Sequence, residues 1–234
     1  MKTSTLKTFF LAGIAAGSLA WAPLANAQVY YSTGHGDLGI AFEEGELEPH
    51  WHLASGEYAP GDVVAVVSAT RSAPNSSETF LNVAQGTSIY VAGSAAYQPN
   101  LGFGAEELVP DDWTGPITVT LSGLTGPGNF ALYTLNLNGD LSNILMSSYN
   151  PSSTFANNTL SLLPGDHAHY TFGFTEAGIY DITLTWSGTH VTEGFQSASG
   201  TFQFEVVPEP GTWALLTIGL VAMMIVVRKR RLAL

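Results

Sequence analysis

Tyr170-Thr171-Phe172-Gly173-Phe174-Thr175-Glu176-Ala177-Gly178-Ile179-Tyr180-Asp181-Ile182-Thr183-Leu184-Thr185-Trp186 is the stretch whose reading decides the fold class. Large apolar side chains fall on every second residue from Tyr170 to Phe174 and again from Tyr180 to Trp186. That is the two-residue period of a strand with one buried face. Glu176-Ala177-Gly178 interrupts the pattern with turn residues, so the stretch reads as a β-hairpin.

Outward from it the same vocabulary repeats. Ile117-Thr118-Val119-Thr120-Leu121 alternates and is followed by a turn at Gly126-Pro127-Gly128. Further strands are predicted at Gln28–Ser32, Leu38–Glu43, Glu46–Leu53, Val63–Ser68, Ser88–Ala92, Asn129–Leu135, Leu160–Leu163 and Gly200–Val207. Short strands at this spacing, with no long helical period, predict an all-β chain built as a single antiparallel β-sandwich domain over residues 28–207. Residues 71–79 and 136–158 are rich in Ser, Asn and Pro and read as loops. Glu43-Glu44-Gly45-Glu46 reads as a solvated hairpin turn and Trp51 as a core residue.

The flanks of that domain are of a different kind. Residues 1–27 read as a secretory signal helix. Lys2 and Lys7 form a positive start, Phe9 to Ala20 an apolar run, and Ala25-Asn26-Ala27 a small-residue cleavage site for signal peptidase. At the other end, Pro208-Glu209-Pro210 leads into an apolar segment, 212–227, closed by Arg228-Lys229-Arg230-Arg231. The basic cluster predicts that a hydrophobic transmembrane helix here leaves its C-terminus in the cytoplasm. Residues 208–234 closely resemble the PEP-CTERM sorting signal. That resemblance implies an exopolysaccharide-producing Gram-negative bacterium, an inner-membrane stage, and processing by an exosortase that leaves the product at the cell surface or in the extracellular matrix.

Without its ends the chain is strongly acidic. Of seven basic residues only Arg71 lies within 28–207, whereas eighteen of the nineteen acidic residues do, giving a formal charge near −17. Such a surface repels nucleic acid and attracts cations. Cysteine is absent, which excludes disulfides, a thiolate nucleophile and sulfur-ligated metal.

Histidine carries what chemistry the sequence shows. Five of the six histidines fall in three short segments: His35 in Gly34-His35-Gly36-Asp37, His50 and His52 in Glu48-Pro49-His50-Trp51-His52, and His167 and His169 in Asp166-His167-Ala168-His169. On a strand each His-x-His pair presents both rings to one side, so the rings of the two pairs can converge. Neutral imidazole is a common ligand of zinc and copper. The predicted metal site is His35, His50, His52, His167 and His169, with Asp37 or Asp166 as an oxygen ligand or as a hydrogen-bond partner of a ligating ring. This donor set suits zinc first and copper second, and Mg²⁺ or Ca²⁺ poorly. His190 lies outside these segments.

Taken in order, Val29-Tyr30-Tyr31-Ser32-Thr33-Gly34-His35-Gly36-Asp37-Leu38, His50-Trp51-His52, Leu101-Gly102-Phe103-Gly104-Ala105-Glu106-Glu107, Gly126-Pro127-Gly128-Asn129-Phe130, and His167-Ala168-His169-Tyr170 with Phe174-Thr175-Glu176-Ala177-Gly178-Ile179-Tyr180 resemble the choice-of-anchor M domain. That domain is related to an actinobacterial surface-anchored domain. The resemblance implies a surface-anchored body and, by way of its actinobacterial relatives, a link to metal-type transporters.

Three functional classes remain open in the sequence. The first is a non-catalytic surface protein that binds a transition metal. The second is a structural or adhesive component of the exopolysaccharide matrix without metal. The third is a metalloenzyme, which ranks last because no catalytic constellation is evident. No G-x-S-x-G elbow and no nucleotide loop are present. Glu106 and Glu107, if they continue a strand, point to opposite faces, which argues against a paired-carboxylate glycosidase.

Overall fold

The computed structural model describes residues 28–74, 80–149, 158–208, 217–224 and 228. The described residues are dominated by β-strands arranged in three sheets. The six-stranded sheet runs β1 (Val29–Tyr31), β5 (Val63–Val67), β16 (Gly194–Val206), β15 (Gly178–His190), β9 (Ile117–Thr125), β12 (Thr159–Leu162). A five-stranded sheet runs β11 (Leu141–Ser147), β10 (Phe130–Leu135), β14 (Thr171–Phe174), β7 (Ser88–Ala92), β6 (Thr70–Ser72). The third sheet runs β13 (His167–His169), β8 (Asn100–Gly104), β2 (His35–Glu43), β3 (Glu46–Leu53), β4 (Gly56–Tyr58).

The all-β class stands, and the single antiparallel sandwich is corrected. There are three sheets, and β1–β5, β5–β16 and β2–β8 pair in parallel. The expected hairpin from Tyr170 to Trp186 is also corrected: β14 and β15 belong to different sheets, so the turn at Glu176-Ala177-Gly178 crosses between layers. The partner of β15 is instead β16, in register from Gly178↔Val206 to His190↔Gly194. The residues from His167 to Phe174 do not form one strand, because the chain breaks at Tyr170. Their first half pairs with β8 in the third sheet and their second half with β10 and β7 in the second. Of the expected loops, 136–158 contains β11, and 71–79 contains the end of β6.

One aromatic core holds the three sheets together. Phe202 and Phe204 of β16 pack on Trp51 of β3, with ring centroids 5.1 and 5.8 Å away. Phe204 also meets Phe172 and Phe174 of β14 at 5.8 and 5.5 Å, and Phe172 stacks on Phe103 of β8 at 5.8 Å. Trp51 is fully buried, as expected, and its indole N–H donates to the Pro60 carbonyl at 3.1 Å. Buried aromatics of this size dominate core energetics, and a buried indole needs such an acceptor.

The β2–β3 hairpin that carries most of the site closes through Glu44 and Gly45, at φ +51° and +91°. This two-residue turn between Glu43 and Glu46 matches the twist of the strands it joins and sets their register. The predicted signal helix (1–27, with Ala25 and Ala27), Glu209, Pro210, Lys229, Arg230 and Arg231 lie outside the described residues. Pro208 is exposed, and of the apolar segment 212–227 the described part, residues 217–224, is helical. Among the described residues no helix is long and apolar enough to cross a membrane.

Candidate metal centre

Strand alternation sorts the third sheet into two faces. Leu38, Ile40, Trp51, Leu53, Leu101 and Phe103 point into the core. The intervening positions, His35, Asp37 and Gly39 on β2, His50 and His52 on β3, Gly102 and Gly104 on β8, and His167 and His169 on β13, share the opposite face. Register confirms the grouping: His169 pairs with Gly102, Gly102 with Asp37, and Asp37 with His52, in one row across four strands.

Along that row β8 offers no side chain. A Cβ at Gly102 would run into Oδ1 of Asp37 and lie 2.9 Å from the Ala168 carbonyl, and one at Gly104 would lie 2.9 Å from Glu106 Oε2. The bare strand lets side chains from β2 and β13 meet above it.

The histidines gather into two groups instead of one. His35, His167 and His169 each offer a ring nitrogen within 4.8 Å of the others, and His50, His52 and Glu107 form a second such set. In the first, His35 Nε2 and His169 Nε2 are 3.0 Å apart. His169 Nδ1 lies 3.1 Å from the Leu101 carbonyl, which can only accept, so Nδ1 carries the proton and Nε2 presents its lone pair. His167 Nδ1 is likewise tied, to Glu106 Oε1 at 2.9 Å. An outer acceptor on one ring nitrogen, fixing the other as the ligand atom, is the usual support of a metal-bound histidine.

Asp37 lies beneath this group and is only 2% exposed. Its Oδ2 is 3.6 Å from His35 Nε2, and among the described residues its Oδ1 has no hydrogen-bond partner. Burial raises the Asp37 carboxyl above its ordinary pKa, a shift opposed by His35, His169 and His167 and reinforced by Glu106. A buried carboxylate oxygen without a partner is costly, and a cation beside it would remove that cost. A cavity of about 150 Å³ opens here, lined by His35, Asp37, His52, Leu53, Ala54 and Glu106.

In the second group, Glu107 Oε1 lies 3.0 Å from His50 Nε2 and 3.3 Å from His52 Nδ1. His50 is buried, at 8% exposed, and its Nδ1 is 3.2 Å from the Glu48 carbonyl.

Asp166 is exposed and contributes its backbone, the carbonyl accepting from Ala105 N and the amide bonding to the Leu163 carbonyl. His190 stacks on Phe42 at 4.5 Å, and its Nδ1 accepts from the Thr192 and Glu193 amides. It caps the β15–β16 turn, away from both groups. Glu106 and Glu107 are candidate site residues that the strand pattern of the sequence set aside. They follow β8 in a turn, held where Leu108 N donates to the Ala105 carbonyl at 3.1 Å, and the strand rule that separates neighbours does not apply there. Both carboxylates therefore reach histidines. The signal in the sequence is their place one residue after Gly102-Phe103-Gly104.

The C-terminal sequence consists of Pro208-Glu209-Pro210, an apolar segment and a basic cluster. Residues 206–231 match the PEP-CTERM protein-sorting motif. The PEP-CTERM signal marks the protein for export and for cell-surface or extracellular sorting, with processing by an exosortase. Comparison with curated proteins and with solved structures finds no match.

Proposed function

We propose that the protein is a non-catalytic, surface-sorted metal-binding protein that holds a transition metal ion, zinc before copper, through His35, His167 and His169. The observation that carries this reading is the convergence of three imidazoles from β2 and β13, two of them with Nδ1 held by an outer acceptor. Asp37 beside them, with its unpartnered Oδ1, supplies a fourth donor. Three nitrogens and one oxygen form a donor set that zinc accepts.

The likeness of residues 28–207 to the choice-of-anchor M domain supports a surface-anchored body. The acidic body favours cation capture outside the cell, delivered to the exopolysaccharide or to a metal transporter. The matrix-component reading rests on a different observation: Glu106 and Glu107 already pair with His167, His50 and His52 without an ion. Metal analysis of the purified protein, beside His35→Ala and His169→Ala, separates the two. Near-stoichiometric zinc that falls in both variants is the expected result. Stoichiometry well below one, unchanged by the substitutions, leaves the matrix role.

A further inference from the structure

We propose that the same face holds a second, separate divalent cation site formed by His50, His52 and Glu107. It extends the reading above to another ion and rests on its own residues. The argument is one of hydrogen-bond roles. The Glu48 carbonyl 3.2 Å from His50 Nδ1 can only accept, so Nδ1 carries the proton of the neutral ring. His50 Nε2 then presents a lone pair, and what faces it at 3.0 Å is a carboxylate oxygen, Glu107 Oε1. Two acceptors at that distance repel unless something positive lies between them. The same oxygen also receives His52 Nδ1 at 3.3 Å.

A metal ion resolves the conflict for all three groups at once. Two imidazole nitrogens and one carboxylate oxygen are a recognised zinc donor set that leaves a coordination position for water or a further ligand. The surroundings fit such a site. His50 is buried against Gly39, where a Cβ would lie 2.5 Å from His50 Nε2, so the ring is seated by the absence of a side chain opposite it. The alternative occupant of the gap is a proton, which makes His50 an imidazolium paired with Glu107.

Zinc titration of the purified protein, read by bound-ion stoichiometry and by the visible absorption of Co²⁺ substituted for zinc, distinguishes these cases. Glu107→Gln keeps the size and gives His50 Nε2 a neutral donor, and His52→Ala alters a more exposed residue should Glu107→Gln disturb folding. The expected result is two ions in the wild type, one in Glu107→Gln, one in His52→Ala and one in His167→Ala, with a changed cobalt spectrum in each. One ion in the wild type that Glu107→Gln and His52→Ala leave in place, and His167→Ala removes, overturns the second site while the first stands. One ion in the wild type that His167→Ala leaves in place, and Glu107→Gln and His52→Ala remove, supports the second site and overturns the first. No ion in any form overturns both and leaves an imidazolium–carboxylate pair only.

Discussion

His35 and His169 bring their Nε2 atoms to 3.0 Å although a whole strand separates their backbones. β13 and β2 lie on either side of β8, two strand spacings or about 9.6 Å apart at the usual spacing of about 4.8 Å. The rings lean towards each other over Gly102, so the contact depends on that strand having nothing to interpose.

Gly102→Ala is therefore expected to disturb the first metal group before it disturbs the fold. The added Cβ meets Asp37 Oδ1 and the Ala168 carbonyl, an overpacking that costs about 1–3 kcal/mol. Zinc stoichiometry should fall by one ion. Gly61→Ala is the control, because nothing lies within 4 Å of a Cβ there; denaturant unfolding of the two checks the difference.

Zinc is expected to stabilise the protein against heat. Free ion at a hundredfold excess over Kd adds about 2.7 kcal/mol per site, and a domain of this size gains about 2–4 °C in Tm per kcal/mol. A scan with zinc and with chelator should differ by about 5–11 °C for one site. His169→Ala should lose the first site's share, and an unchanged difference would count against the assignment.

Asp37→Asn separates the carboxylate's two effects. Because burial raises the folded-state pKa of Asp37 above its ordinary 3.8, the folded protein holds the proton more tightly than the unfolded chain. The resulting stabilisation is fully present below pH 3.8 and is lost as pH rises through the folded value. In chelator at pH 7 the Asn variant should thus melt above wild type, with the gap closing in acid. In zinc the order should reverse.

The strands that could be read from the sequence are those with clean alternation. Glu46–Leu53 and Ser88–Ala92 are predicted to the residue, the first because polar and apolar side chains alternate along most of it, the second because a β-branched and aromatic run ends at Gly93. β8 was not legible: Asn100-Leu101-Gly102-Phe103-Gly104 carries glycine on its outward face, and glycine signals a turn as readily as a strand. The crossover from β14 to β15 looked like a hairpin because a short turn between two alternating runs does not reveal whether the second run pairs with the first or packs against it. For the site, the five histidines and Asp37 were visible as residue types. Their division into two groups was not, since it follows from the parallel pairing of β2 with β8, a contact between positions about 65 residues apart in the chain.

The core should respond very differently from the rim. Phe204, fully buried among Trp51, Phe172 and Phe174, joins all three sheets, and Phe204→Ala is expected to cost about 3–5 kcal/mol. Phe195, 70% exposed near the β15–β16 turn, should tolerate alanine within about 0.5 kcal/mol. Chemical denaturation of both variants checks this.

Replacing Pro208, Glu209 and Pro210 together with alanine should block processing within the matched 206–231 motif. The expected outcome is a larger, membrane-associated form on immunoblots of fractionated cells, with the surface form depleted. Undiminished surface protein of the usual size would contradict exosortase dependence.

The empty outer face of β8 also changes what would identify this arrangement in another chain. The histidines lean inward across a gap in which a Cβ would meet Asp37 Oδ1 and the Ala168 carbonyl. The more telling signature is then the silent one: an apolar-Gly-apolar-Gly strand followed, one residue on, by two carboxylates, as in Leu101 to Glu107, with imidazoles arriving from neighbouring strands on either side.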